Sequence, residues 1–244
     1  MALNDKEKER YRRQLSVPLW DQDKLRSASV FVAGVGGLGG TSSLYLALAG
    51  VGRIRVADRD RVDPSNLNRQ VLFTDESLGR LKVEEAGRRL REANPLISVE
   101  TFAEVIDRTS IGRLAKGSAL IVDGLDNVQT RFILNEHSVK ESIPYLYGAV
   151  HGWQGMVGLF NPPRTACLAC LLPQTQTPGP EIPVFGCLPG TIGLLQATEA
   201  VKFLMGVGRT LEGRLLIYDS RDLTFDLVEV ARNTACPVCS RPQK

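Results

Sequence analysis

A chain of 244 residues with 43% apolar residues is long enough for one large α/β domain or two small ones, with a substantial core. Its net charge of +3 is small and scattered, and no basic run is interleaved with aromatics, which argues against a nucleic-acid binder. Residues 1–10 are charged without the apolar run of a secretory signal, and no stretch approaches the length of a membrane span, so the expectation is a soluble, cytoplasmic protein.

Residues 4–13 read as a polar helix ending in Arg10-Tyr11-Arg12-Arg13-Gln14, by composition a solvated arm. Residues 25–27 lead into the first strand, a short branched apolar run, Val30-Phe31-Val32-Ala33. Then comes Gly34-Val35-Gly36-Gly37-Leu38-Gly39-Gly40, and residues 41–49 read as a helix stopped by Gly50. Such a strand-to-helix turn lets backbone N–H groups approach a phosphate, and the helix N-terminus adds partial positive charge. Gly34-x-Gly36-x-x-Gly39 fits the dinucleotide fingerprint. An acid is then expected about twenty residues on to bind a ribose hydroxyl, and Asp58 follows the second strand, Arg53–Ala57. The alternative is a glycine-rich turn with no ligand. The fingerprint alone does not separate a nicotinamide cofactor from ATP.

The loop from Arg59 to Gln70 is almost wholly polar and lies beyond the carboxyl end of a strand, where open α/β sheets bind ligands. Residues 78–93 read as a helix with Val83, Ala86 and Leu90 on one face, stopped by Asn94-Pro95. Lys82, near the start of that helix, is a candidate phosphate ligand beside Asn66 and Arg69. Ser98–Phe102 reads as a third strand, residues 111–115 as a short helix and 119–122 as a fourth strand, ending in Asp123-Gly124-Leu125-Asp126-Asn127. A carboxylate there can hold Mg²⁺ or its waters. It can equally cap the helix Val128–Glu141, and each of the two residues can take one role.

Residues 143–150 and 156–160 read as strands five and six. Strands alternate with helices up to about Ser142, which predicts a mostly parallel sheet. Beyond it the helices thin out, and residues 214–218 and 224–230 read as an antiparallel extension. Residues 173–189 are proline-rich and read as one long loop. His137 and His151 lack partners at metal spacing and read as structural. Two CxxC knuckles, Cys167/Cys170 and Cys236/Cys239, supply four thiolates, which suits tetrahedral Zn²⁺ with no open position, hence a structural metal. A redox pair is the alternative. Cys187 is left over, either as an inert apolar residue or as a nucleophile.

These motifs together resemble the HesA/MoeB/ThiF family, bacterial relatives of the ubiquitin-activating enzymes. The resemblance runs from Arg10-Tyr11-Arg12-Arg13-Gln14 to the last CxxC. It rests on Gly34 to Gly39, Asp58, Ser65-Asn66-Leu67-x-Arg69-Gln70, Lys82, Asp126-Asn127, the paired knuckles and Leu195-Gln196-Ala197-x-Glu199-Ala200. It implies a Rossmann-like α/β fold, a mostly parallel sheet continued by an antiparallel C-terminal part with the four-cysteine zinc site. It further implies one adenylation domain over 1–244, with a nucleotide-binding half (1–150) and a carrier- and zinc-binding half (151–244).

The resemblance also implies ATP rather than NAD. Gly34, Gly36, Gly37 and Gly39 would lie against the nucleotide and Asp58 would hold the ribose. Asn66, Arg69, Gln70 and Lys82 would contact the phosphates, with Asp126 and Asn127 on the Mg²⁺ side. Arg13 would reach the ATP of a partner subunit, which implies a homodimer and replaces the solvated-arm reading. The implied reaction adenylates the C-terminal glycine of a small ubiquitin-like sulfur carrier ending in Gly-Gly. A cysteine desulfurase or sulfurtransferase would then donate sulfur. Molybdopterin, thiamine, other thiocarboxylate and tRNA-thiolation routes all fit. Thioester- or persulfide-forming relatives carry a cysteine upstream of the position of Cys187. Here that part of the loop is Thr175-Gln176-Thr177-Pro178-Gly179-Pro180-Glu181, so the reaction is expected to stop at the acyl-adenylate. An NAD-dependent oxidoreductase and a catalytically silent binding protein are the competing readings.

Overall fold

The computed structural model describes residues 3–172 and 183–240. The N-terminal arm is two short helices rather than one. Helix α1 (Asp5–Arg10) starts in a capping box, with Asn4 and Glu7 satisfying each other's backbone N–H, and Tyr11 breaks the run before α2 (Arg12–Leu15). Helix α3 (Gln22–Ser27), capped by Asp21, leads into β1 (Ser29–Ala33). Helix α4 (Gly37–Ala49) ends at Gly50 in the left-handed conformation, and β2 (Arg53–Ala57) follows.

Helix α5 (Lys82–Ala93) begins four residues later than its apolar spacing predicts. Gly79 is left-handed at φ +76° and Leu81 bridges to Arg61, so residues 78–81 close the preceding loop instead. Strand β3 (Ser98–Phe102), α6 (Ile111–Leu114), β4 (Leu120–Asp123), α7 (Val128–Glu141), β5 (Tyr145–His151) and β6 (Gln154–Phe160) then follow close to expectation. The short α8 (Leu168–Leu171) carries the first CxxC. After it come α9 (Cys187–Met205), β7 (Arg214–Asp219) and β8 (Thr224–Glu229).

The strands form one eight-stranded sheet in the order β3-β2-β1-β4-β5-β6-β7-β8. The first five are mutually parallel, and β6, β7 and β8 extend the sheet antiparallel. Alternate residues of the strands from β1 to β7 feed opposite cores. Val30, Val32, Ile54 and Val122 pack with Leu38, Leu46, Ala86, Leu90 and Ile192 from α4, α5 and α9. Phe31, Ala33, Ile121 and Tyr145 pack with Ile111, Leu114, Leu134 and Leu168 from α6, α7 and α8.

Helices do thin out after Ser142, where only α8 and α9 follow among the described residues, but α9 is long. With 19 residues it is the longest helix among the described residues. It is wedged between α4 and the sheet and so shows no single apolar stripe in the sequence. Its Gly193 fits against the Leu38 carbonyl and Thr41 of α4, and Ile192 fills the space above Gly155 of β6. Pro189, which reads as loop, is tolerated in the first turn, where N–H groups lack intrahelical partners. Residues 187–189 of the predicted loop are therefore helical, and residues 173–182 lie outside the described residues.

The carboxyl ends of β1 and β4 meet over two glycine turns. A Cβ on Gly39 would overlap the Gly34 carbonyl oxygen, and one on Gly124 would stand 2.5 Å from the same atom. Both clashes are with backbone, which cannot rotate away. Gly39→Ala is expected to lower the melting temperature and to weaken ATP binding by calorimetry. Gly190→Ala, where a methyl meets open space on α9, should leave both unchanged or raise the melting temperature slightly. Equal melting temperatures for the two variants would contradict this packing.

Candidate functional site

The chain leaves β1 toward β2 on one side and reaches β4 on the other, so the crevice above β1 is the topological switch point of the sheet. The glycine turn lies in it. Gly34 takes φ +83°, its N–H donates to the Ala57 carbonyl at 2.8 Å, and Gly36 starts α4 with no side-chain cap. The first amides of α4 are thus free of side-chain partners, as a phosphate cradle requires.

Asp58, just past β2, accepts the Val35 N–H at 3.0 Å on Oδ2 and the Asp60 N–H at 2.9 Å on Oδ1. It therefore shapes the turn while keeping lone pairs for a ligand hydroxyl. Burial pushes its carboxyl above the usual range, and the two N–H groups and Lys82 oppose that rise.

The polar loop folds onto the same crevice. Asn66 is buried and accepts the Asp63 N–H at 3.1 Å, so here it also serves to close the loop. Arg69 is steered by the Ser65 carbonyl at 2.6 Å and the Asn68 side chain at 3.0 Å. Gln70 is buried beside Gly36, and its Oε1 has no partner. Lys82 is the first residue of α5. It is buried, and its Nζ lies 3.4 Å from Asp60. Beyond β4, Asp126 is exposed, and among the described residues its carboxylate takes no hydrogen bond or ion pair. Asn127 caps α7 by accepting the Thr130 N–H at 2.9 Å. The two residues thus divide as the sequence allows, one as a cap and one as a free carboxylate. A free carboxylate suits a hydrated divalent cation, although one such group alone does not enclose it.

Arg13 is not brought to this crevice within one chain. Its arm is fastened at the other end of α4, where Gln14 donates to the Ala49 carbonyl at 2.9 Å and Asn94 donates to the Tyr11 hydroxyl at 2.8 Å. The 13 residues of α4 put about 20 Å between that anchor and the glycine turn. Cys187 is exposed as the first residue of α9, rather than lying in a loop before it, and its neighbour Gly186 lies against the backbone of Asn68 and Arg69.

The two knuckles converge. All four thiol sulfurs of Cys167, Cys170, Cys236 and Cys239 lie within 4.8 Å of one another, with Cys167–Cys236 at 3.7 Å and Cys170–Cys239 at 3.5 Å. Tetrahedral zinc with sulfur at about 2.3 Å requires sulfurs about 3.8 Å apart, so the residues fit the metal. Burial and the neighbouring thiols push Cys167 up. Cys236, against its own burial, is drawn down to about 7 by the backbone N–H groups of Cys239 and Val238. The side-chain amide of Asn135 donates to Cys167 Sγ at 3.7 Å, and the Asn233 N–H donates to Cys170 Sγ at 3.4 Å. His137 is buried on α7, where burial lowers its pKa, and His151 is exposed at the end of β5; neither joins the cysteine group.

Sequence reasoning missed Asn135, and it missed a buried network under the second glycine turn in which Asp123 and Gln196, quoted above within motifs but given no role, meet Arg131 and Tyr145. Nothing in the spacing marks this meeting. These residues come together only when β4, α7, β5 and α9 have packed.

Fold and crevice define an α/β protein of the Rossmann-like kind, extended by antiparallel strands and tied at its tail by four cysteines. The profile of the ThiF family matches residues 11–238, and the chain belongs to that family. It is 39% identical to the sulfur carrier protein adenylyltransferase of Thermus thermophilus, over 98% of this chain and 93% of the relative. It is 40% identical to the SAMP-activating enzyme E1 of Haloferax volcanii, over 98% and 91%. Among solved structures, Escherichia coli MccB with AMPCPP and MccA superposes with a TM-score of 0.85 at 26% identity, covering 98% of this chain and 76% of that one.

One zinc per chain is expected on metal analysis of freshly purified protein. Cys239→Ser should lower the melting temperature while leaving ATP affinity nearly unchanged, because the four-cysteine cluster and the crevice involve different residues. Structural zinc in small peptides contributes on the order of 10 kcal/mol, part of which a larger domain retains by its core. Metal-free protein with four free thiols and full stability would contradict the assignment.

Proposed function

We propose that this protein is an ATP-dependent adenylyltransferase acting on the C-terminal glycine of a small ubiquitin-like sulfur carrier. What supports the reading is the glycine turn with Asp58 and the uncapped start of α4, against which the Arg69–Gln70 segment packs, together with Lys82 beside Asp60 and the free carboxylate of Asp126 two residues past Gly124. A nicotinamide enzyme needs the glycine turn and Asp58 but has no use for the cations around them. The named activities of the relatives agree with this choice, and the molybdopterin-synthase adenylyltransferase of Salmonella typhimurium, 36% identical over 98% of this chain, is a further such relative.

In this reading Asp58 holds the ribose and Gly34, Gly36, Gly37 and Gly39 lie against the nucleotide. Asn66, Arg69, Gln70 and Lys82 face the phosphates, and the buried, unpartnered Oε1 of Gln70 is left for the ligand or its water. Asp126, with Asn127 next to it, would hold Mg²⁺ or its waters, and the ion would supply neutralisation of phosphate charge. The carrier carboxylate, already ionised at pH 7, attacks the α-phosphorus, and the bond to pyrophosphate breaks. No general base is required, which agrees with a crevice whose named residues include no histidine. Arg69 and Lys82 stabilise the charge that gathers on the α-phosphate and the leaving group.

Arg13 acts in this scheme from a second chain. Its anchoring about 20 Å from its own turn supports that, as do the exposed Val17, Leu19, Tyr45 and Leu48 beside it, which give a second copy an apolar face. Residues 1–150 serve the nucleotide, and 151–244 the carrier and the zinc. The product is the acyl-adenylate, which awaits an external sulfur donor; molybdopterin, thiamine and tRNA-thiolation routes share this chemistry. The location proposed for this reaction is the cytoplasm. No helix among the described residues is long and apolar enough to cross a membrane.

The test is pyrophosphate exchange into ATP with the small protein that co-purifies with the native chain. Exchange should require that carrier, and Lys82→Ala, Arg69→Ala and Asp126→Ala should each lower it by about a hundredfold or more while remaining folded. Carrier-independent exchange, or wild-type rates in these variants, would contradict the reading. Arg13→Ala and Asp126→Ala homodimers should both be inactive, and mixing them should restore activity, since one site then keeps its own Asp126 and receives Arg13 from the other chain. No recovery after verified subunit exchange would remove Arg13 from the partner's site.

A further inference from the structure

Beneath the turn that follows β4 lies a charged network that the proposed chemistry does not use. Asp123 is fully buried. Its Oδ1 accepts the Leu125 N–H at 2.9 Å, and its Oδ2 accepts Arg131 Nε at 3.1 Å and the Tyr145 hydroxyl at 2.6 Å. Arg131, on the first turn of α7, is itself buried; its Nη2 donates to the Leu125 carbonyl at 2.6 Å and to the Gly148 carbonyl of β5 at 2.9 Å. The Arg131 guanidinium also stands 5.4 Å from the Tyr147 ring centroid. From α9, Gln196 donates to the Asp123 carbonyl at 2.8 Å.

Both polar groups of the Leu125 peptide backbone are therefore held, its N–H by Asp123 and its carbonyl by Arg131. Leu125 stands between two residues with tasks in the crevice. Gly124, before it, touches the glycine turn with no room for a Cβ. Asp126, after it, is the free carboxylate. A buried ion pair is weak evidence for stability, because desolvation offsets its attraction; apolar residues of similar volume can serve as well. It does fix geometry, since a guanidinium has donors in a rigid planar fork. Here the fork spans a carboxylate and two carbonyls from β4, the following turn and β5, an arrangement a single ammonium cannot reproduce.

We propose that Arg131 is a positioning residue for Asp126: through Asp123 and the Leu125 carbonyl it locks the turn that carries the Asp126 carboxylate, which would hold Mg²⁺ when ATP is bound. Asp123 and Tyr145 complete the lock from below. The proposal rests on the reading of Asp126 given above, and it assigns the network a role distinct from filling the core.

The experiment measures ATP binding by calorimetry with and without Mg²⁺, alongside melting temperature, and does not require turnover. In the wild type Mg²⁺ is expected to tighten ATP binding, and Asp126→Ala should lose that tightening. Arg131→Lys, which keeps the charge and loses the fork, should lose about tenfold of the Mg²⁺ effect, while ATP affinity without Mg²⁺ changes less than about threefold. Adding Arg131→Lys to Asp126→Ala should cost nothing further in the Mg²⁺ effect, the non-additivity expected of two residues acting through one group. Tyr145→Phe, which removes one hydrogen bond and keeps the ring, should lose about threefold of the effect and decides the matter if Arg131→Lys does not fold. A full Mg²⁺ effect in Arg131→Lys or Tyr145→Phe, with Asp126→Ala defective, overturns the positioning role alone. A full effect in Asp126→Ala overturns the reading of Asp126 and this proposal with it. Equal loss of ATP affinity with and without Mg²⁺ in Arg131→Lys would reduce the network to a structural one.

Discussion

The structure depends on one close contact between backbones. The turn after β1 and the turn after β4 press together at Gly34, Gly39 and Gly124 with no space for a side chain between them. Every element of the crevice takes its place from that contact. It sets the start of α4 against β4. It also places the turn that leads to Asp126 beside the glycine turn, and Asp58 closes the arrangement from β2 by accepting the Val35 N–H. A glycine fingerprint is often read only as clearance for a ligand. Here its third glycine serves the protein's own packing, and its first bends the chain through a positive φ.

Two further constraints extend from this centre. Helix α9 comes back from the antiparallel half to lie along α4. Pro189 covers the place where a Cβ on Gly37 would sit, and Gly193 admits the α4 backbone. The antiparallel half is thereby keyed to the parallel half. At the other end, the cysteines join segments that are 69 residues apart in sequence, the loop after β6 and the tail after β8. A metal at that point would close a long loop and hold the last strand pair, whose β8 residues are all exposed.

Much of this is legible in the sequence, where the signals are local. The run before Gly34, the spacing to Asp58, the cap of α7 and the two CxxC pairs are each specified by residues within a few positions. What is illegible depends on packing. Helix α9 is covered on two sides, so its apolar residues do not align in one stripe, and its early proline and glycines imitate a loop. At the start of α5, Leu78 and Leu81 continue the apolar pattern, while Gly79 and the bridge to Arg61 end the helix short of them. Arg13 shows a different limit. Composition describes a solvated arm, and the family resemblance supplies a role. The single chain fastens the arm at the far end of α4 from the glycine turn, which is why that role is proposed from a second chain. The Asp123–Arg131 pair leaves no trace in sequence, since an acid after a strand and an arginine in a helix are common and only their burial together is not.

The most direct test of the central claim is intact-mass spectrometry of the carrier. The chain is incubated with ATP, Mg²⁺ and a candidate small sulfur carrier ending in Gly-Gly, pyrophosphatase is added, and the mixture is quenched in acid. The account predicts that the carrier gains the mass of one adenylyl group, that fragmentation places it on the terminal glycine, and that removing that glycine abolishes it. An unmodified carrier with ATP consumed, or an adenylyl group on any other residue, would contradict it.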